Sequence, residues 1–410
     1  MLKLDLIHTL AFGGVMLFIG YGIRRVIKPL ARYNIPAPVI GGLLVAVTIL
    51  VTRRYGVTLF EFDTKLQSPL MIAFFTTIGF GASLSLLKVG GPQVILFFVI
   101  ATIFAILQNV VGALIAIPFG LDPLFGVLAG SVTLTGGPAT GLAFAPLFEQ
   151  AGVTGAASIA IAAAMGGIVA GGIVGGPVST FLIERHKLKA PRANPVHLEM
   201  PTAENIVEDR MPELAPNPPE GEDVESFVLL KNLVVILVAM WVGSWVSQWF
   251  ASLGVTLPAY IGAMLVAAVI RNFDDVTGWI GLSQRIIDDL GGVALSLFLV
   301  MALMTLRLWE LANLAVPLIV IIIAQVALVA VVCFWPIFQL MGRDYESAVM
   351  SGGFIGFMLG TTANAMAVMR TLVERYGPAP RAFLVAPMVG AFFIDFTNAL
   401  LITACLNIFK

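Results

Sequence analysis

Charge is the scarcest resource in this sequence. Asp, Glu, Lys and Arg make up 11% of 410 residues, against about 25% in an average soluble domain. So few charges cannot cover a water-facing surface. The formal net charge is −1 with no basic stripe, so the electrostatic footprint of a nucleic-acid binder is missing. Cysteine is nearly absent. Cys333 and Cys405 each sit in an apolar run and read as small core or lipid-facing residues, with no disulfide framework and no transition-metal site. His8, His186 and His197 are scattered and make no ligand spacing. No G-x-x-x-x-G-K-[ST] loop occurs, which excludes a nucleotide-driven pump of that type. The expectation is a protein that is not an enzyme and carries no cofactor.

What is abundant is apolar. Hydrophobic types make up 59% of the chain and the mean hydropathy is +0.98, so the bilayer is read as the main solvent. A spanning helix needs about 20 mostly apolar residues. Candidate spans cover roughly 5–23, 36–52, 69–87, 93–117 and 154–183, then 226–250, 256–271, 286–306, 313–341 and 379–408. Asp5 and His8 precede the first apolar run and Arg24-Arg25 follow it, the order of a first spanning helix and not of a cleaved signal. Between the fourth and fifth spans of each half lie residues 122–150 and 344–375, Gly-rich and broken by Pro or Thr. Both are predicted to be re-entrant hairpins, which unwound backbone at membrane depth permits only under protein cover or against a watery cavity. Residues 184–225 are rich in Pro, Glu and Asn, a linker composition. Trp241, Trp245 and Trp249 form a stripe read as lipid or interface anchors.

Lys and Arg in short loops orient the chain. Arg24, Arg25, Lys28 and Arg32 put the first loop in the cytoplasm; Arg185, Lys187, Lys189 and Arg192 do the same for the central linker, and Arg343, Arg370, Arg375 and Arg381 flank the second hairpin on that side. Both termini are then periplasmic. Arg53-Arg54 fall on the opposite side, near Glu61 and Asp63.

One near-constant offset runs through the chain. Ile35-Pro36-Ala37 before GGLLVA matches Leu257-Pro258-Ala259 before GAMLVA (258 − 36 = 222). Asp122 and Asp344 open the two hairpins at the same offset of 222, LFEQAG and LVERYG close them, and Met165 pairs with Met388 at 223. Register held over several segments indicates duplication. Five crossings per half force the second copy to be inverted. The fold expected is therefore an all-α membrane protein of two inverted repeats of five transmembrane helices, 1–183 and 226–410, each with a re-entrant hairpin before its last helix and joined by a cytoplasmic linker over 184–225. Inverted repeats with broken helices near the midplane recur among secondary transporters.

Chemistry concentrates at the breaks. Gly136-Gly137-Pro138 interrupts the first hairpin among Thr133, Thr135 and Thr140; Gly360-Thr361-Thr362-Ala363-Asn364 interrupts the second. Amide N–H groups at a half-helix start suit a carboxylate, and carbonyls at the preceding end suit Na+, a hard cation. Packing alone would not need three threonines around a GG-P break. Asp395 lies deep in the last span with Asn398 one turn later on the same face. A carboxylate there is costly and marks function by default; binding Na+, binding a substrate ammonium and carrying a proton all remain open to it. Gln108-Asn109 and Gln325 sit mid-span, placed to line a cavity or to bridge helices.

The runs DPLFGVLAGSVTLTGG (122–137), ALSLFLVMALMTLRLWELA (294–312) and FLVAPMVGAFFIDFTNALLI (383–402) closely resemble the bacterial sodium/glutamate symporters, almost end to end. Ala139 stands where that family's Gly-Gly-x-Gly pattern would place its last glycine. The resemblance implies a Na+-coupled L-glutamate importer of the inner membrane, a homodimer working by an elevator-like mechanism, with no nucleotide and no nucleic acid. Thr135, Gly136, Gly137, Thr140, Thr361, Thr362, Asn364, Asp395 and Asn398 are then expected around the substrate, with Asp395 on its ammonium. Thr133, Thr135, Gly137, Gly356, Gly360 and Asn109 are expected around Na+. A symporter of malate or citrate, whose substrates lack an ammonium, is the nearest rival; a channel or membrane receptor is the rival from another class.

Overall fold

The computed structural model describes residues 2–57, 59–85, 91–190, 224–254 and 257–409. It is an all-α membrane protein. Among the described residues the only sheet is a parallel pair, Leu2–Leu4 with Phe60–Phe62, and eight helices are long and apolar enough to cross a membrane. Two of the ten expected spans form helices outside that set. Gln67–Gly81 has 15 residues, and Ala259–Thr277 runs on past 271 to include Arg271, Asp274 and Asp275. Of the expected linker 184–225, residues 191–223 lie outside the described residues.

The helices gather into two compact units, each drawing on both halves of the chain. One contains Leu6–Val26, Ala37–Arg54, Gln67–Gly81, Val224–Ser252, Ala259–Thr277 and Gln284–Met304. The other contains Gly91–Ala116, the first hairpin, Ala156–Arg185, Ala315–Val332, the second hairpin and the last span from Pro380 to Ile408.

In the first unit, glycines let backbones touch. A Cβ on Gly20 would lie 2.2 Å from the Ala37 carbonyl oxygen, and one on Gly41 would lie 2.1 Å from that of Met16. Gly262 and Gly243 repeat the arrangement, the former's Cβ falling 2.3 Å from the Gly243 oxygen. Lipid gives helices no hydrophobic reason to associate, so close packing of small residues must supply the attraction. Polar side chains pin the end of Ala259–Thr277. Arg271 Nε lies 2.9 Å from Asp275 Oδ1, with the two side chains 3% and 6% exposed. Arg271 Nη1 donates to Gln284 Oε1, Ser83 and Ser85 hydroxyls donate to Asp275 Oδ2, and Asp274 accepts from the N–H groups of Ile280, Gly281 and Leu282. A buried pair persists only with such additional hydrogen bonds. Arg53, which the loop-charge pattern leaves unexplained, stacks 3.9 Å over the Trp309 ring, a cation–π contact. Trp241, Trp245 and Trp249 are exposed on their helix.

Candidate functional site

The second unit holds both hairpins. Asp122 Oδ1 accepts from Leu124 N at 2.8 Å and starts the first arm, Pro123–Val127. This arm is not one straight helix. It passes into a wider turn over Leu128–Val132 and leaves helical geometry at Gly130 (φ −99°, ψ −128°), six residues before the Gly-Gly-Pro break. The second arm, Gly137–Gln150, starts on Gly137 at φ +68°, a left-handed conformation open to glycine at low cost, with Pro138 preset for the first turn.

The second hairpin comprises Tyr345–Met358 and Thr362–Tyr376. Thr361 Oγ1 caps the second arm by accepting from Asn364 N at 3.4 Å. Asn364 Nδ2 donates to Ile168 O at 3.1 Å and to Gly356 O at 3.3 Å, so this amide holds the break to the neighbouring helix.

The two tips meet. A Cβ on Gly137 would lie 3.5 Å from Thr361 Cγ2 and 3.6 Å from Gly360 O. Around them Gly136, Ala139, Thr361 and Thr362 are half-buried and Ala363 is exposed, while Thr133, Thr135, Thr140 and Asn364 are buried. Two half-helix starts thus lie next to each other, among partly exposed residues.

Behind the tips, Gln108 is a hub. Its Oε1 accepts from Thr135 Oγ1 at 2.6 Å, its Nε2 donates to Met358 O at 2.9 Å, and its own carbonyl accepts from Gln325 Nε2 at 2.7 Å. Of the two roles open to these mid-span amides, bridging is the one seen. Asn109 Oδ1 accepts from Ser131 N at 3.0 Å while its Nδ2 faces Cys405 Sγ at 3.9 Å. Thr133 Oγ1 donates to Leu128 O at 2.7 Å within its own hairpin.

The last span breaks at Phe393 (φ −115°, ψ −40°), and Asp395 falls in the first turn after the break. Its carboxylate makes no hydrogen bond or ion pair among the described residues. Asn398 is fully buried and donates from Nδ2 to Ser131 O at 2.9 Å, which joins the last span to the first hairpin. Thr362 sits against the same span, 2.7 Å from where a Gly390 Cβ would be. Gly356 and Gly360 both lie close to Asn364.

At the base of the second hairpin, Asp344 accepts from Ser347 N at 2.8 Å and from Arg381 Nη2 at 2.5 and 2.7 Å. Burial alone would raise this carboxyl's pKa, but the Ser347 hydroxyl and N–H and the Arg381 guanidinium outweigh it and hold the value below the ordinary one. Glu346 Oε2 accepts from the N–H groups of Arg381 and Ala382 and so caps the last span.

The structure brings Thr135, Gly137, Gly360 and Thr361 together with Gln108. It sets Asn109, Asn398 and Ser131 together one layer behind. Ser131 is the residue that sequence reading missed: one serine in a run of small residues gives no periodic or motif signal.

Residues 2–378 match the sodium/glutamate symporter family. The sodium/glutamate symporter of Escherichia coli is 40% identical over 403 residues, covering 98% of this chain and 97% of its own length. That of Haemophilus influenzae is 39% identical over 396 residues, covering 96% and 95%.

Proposed function

The chain belongs to the sodium/glutamate symporter family, and from that premise we propose that it imports glutamate together with Na+ across the bacterial inner membrane by alternating access. It is a transport protein and not an enzyme. The observation that carries the substrate assignment is the meeting of Gly137 with Thr361. Two half-helix starts at one spot put partial positive charge where two carboxylates can share it. The hydroxyls of Thr135, Thr140, Thr361 and Thr362 are assigned to those carboxylates, and Asp395, without a partner among the described residues, to the substrate's ammonium. Asn364 keeps the second break in shape.

Two inverted repeats give the site its origin. Asp122 and Asp344 both cap the hairpin arm they open. Gly41 and Gly262 both press on the first helix of their own half. These matches support equivalence of 1–183 and 226–410. An elevator-like cycle in a homodimer is part of the same proposal, with the hairpin-bearing unit, which holds both half-helix starts, as the carrier of substrate. The N- and C-termini are assigned to the periplasm and the central linker to the cytoplasm. The driving force is the ion gradient: one charge crossing 100 mV yields about 2.3 kcal/mol.

Reconstituted vesicles test this. Labelled glutamate should accumulate with Na+ outside and not with K+. Equal uptake in both salts overturns symport. Unlabelled malate or citrate competing as well as glutamate would move the substrate to an anion without an ammonium.

A further inference from the structure

Three buried oxygens stand out in the hairpin-bearing unit: Ser131 Oγ, Asn398 Oδ1 and Gln325 Oε1 have no hydrogen-bond partner among the described residues, and all three residues are 0% exposed. Two of them belong together. Asn398 Nδ2 donates to the Ser131 carbonyl at 2.9 Å, so the Ser131 and Asn398 side chains extend from a shared contact. That contact also fixes the amide's orientation. A carbonyl can only accept, so the nitrogen must face it and Oδ1 must face away. Asn109 is oriented in the same way by the Ser131 N–H and keeps the serine backbone in place. Gly130, just before, has left helical geometry, and a Cβ there would lie 3.0 Å from Asn109 Oδ1.

A buried acceptor without a donor is costly. Two such oxygens at a break in a membrane-embedded hairpin, with no donor to satisfy them, suit a hard cation that prefers oxygen ligands. One turn before Asn398 on the same face comes Asp395, whose carboxylate also has no described partner. It supplies the negative charge that a cation at this depth requires.

We propose that Ser131 Oγ and Asn398 Oδ1 are ligands of a coupling Na+, bound behind the hairpin tips in the field of Asp395. This rests on the symport reading and adds a place for the ion distinct from the tip carbonyls. The ion would brace the bend at Gly130–Ser131 and so the turn that presents Thr135 and Gly137 to substrate.

Ser131→Ala is the sharpest test, because the atom it removes has no partner among the described residues. Purified full-length protein is melted in NaCl and in KCl, with and without glutamate. The wild type should show a rise in melting temperature specific to Na+. Ser131→Ala should melt no lower than wild type in KCl, since it buries one fewer unsatisfied oxygen, yet need at least about tenfold more Na+ for half of the rise. Glutamate uptake by the variant in vesicles should show the same displacement in Na+ dependence. Thr361→Ala, at the tip, should weaken glutamate uptake while leaving the Na+ midpoint without glutamate unchanged. An unchanged Na+ midpoint in Ser131→Ala overturns the proposal. So does a wild type stabilised equally by Na+ and K+ or by neither, as expected if water fills the position. Glutamate uptake independent of Na+ would sink the symport reading instead, and the melting data would still decide the ion site.

Discussion

Thr135 Oγ1 donates to Gln108 Oε1 at 2.6 Å, and the same Gln108 side chain donates to Met358 O at the end of the second hairpin's first arm. One uncharged side chain therefore fixes both hairpins to the span Gly91–Ala116.

Gln108→Leu keeps the volume and removes both bonds. It leaves the Met358 carbonyl buried without its side-chain donor, at a cost of about 1–3 kcal/mol, and the Thr135 hydroxyl with only the Met358 sulfur, 3.4 Å away. The expected result is a lower melting temperature by scanning fluorimetry and a loss of glutamate uptake greater than the loss of protein in the membrane. Uptake at the wild-type rate would refute the role of Gln108 as the shared tie.

Gly137→Ala should act locally. The left-handed φ of +68° costs an L-residue about 1–2 kcal/mol, and the new methyl meets Thr361. Uptake should fall roughly tenfold or more while yield stays near wild type. Gly137→Asn, which tolerates this conformation better, should retain more stability than Gly137→Ala.

Asp395→Asn keeps shape and hydrogen bonding but deletes the charge. Glutamate uptake should drop by at least about two orders of magnitude, since both the ammonium and the ion lose their counter-charge. Competition by malate, weak in the wild type, should weaken less than that by glutamate. Equal losses for both would detach Asp395 from the ammonium.

The Asp344–Arg381 pair predicts a pH effect. Its carboxyl is held below the ordinary value, so the stabilisation is complete at neutral pH and disappears as pH falls through the lowered pKa, below about pH 4. The pair is partly exposed, Arg381 at 27% and Asp344 at 48%, so the contribution is about 1 kcal/mol or less. Asp344→Asn should lower the melting temperature slightly at pH 7 and flatten its decline between pH 5 and pH 3. A decline as steep as wild type's would remove Asp344 as its source.

Much of this was legible in the sequence, because bilayer thickness forces apolar runs to a fixed length. The ten expected spans all fall on helical stretches, although 313–341 is interrupted at Cys333–Ile337 and 379–408 at Phe393, and the breaks at Gly136-Gly137-Pro138 and Gly360–Thr361 lie where glycine and threonine cluster. Hidden features came from contacts distant in sequence. Nothing local marks Ser131 as the partner of Asn398, 267 residues away, or Gln108 as the link to Met358. The bend at Gly130 was equally silent, since a single glycine among small residues also serves plain helix packing. The Arg271–Asp275 pair, by contrast, has a visible i,i+4 spacing in RNFDD; hydropathy alone ends the span at its first charge, while the helix continues to Thr277.

Each compact unit is assembled from stretches of chain that lie far apart in sequence, drawn from both halves, and this sets an order of manufacture. Ribosomes deliver the N-terminal portion first. The unit containing Leu6–Val26 is complete once Trp309 has emerged, whereas the unit with both hairpins waits for the last span, Pro380 to Ile408. Until then the first hairpin, with its buried Thr and Ser side chains, lacks the partner that Asn398 supplies to the Ser131 carbonyl. A nascent chain halted before residue 380 would thus expose an unfinished polar seam to lipid, a natural target for membrane quality-control proteases.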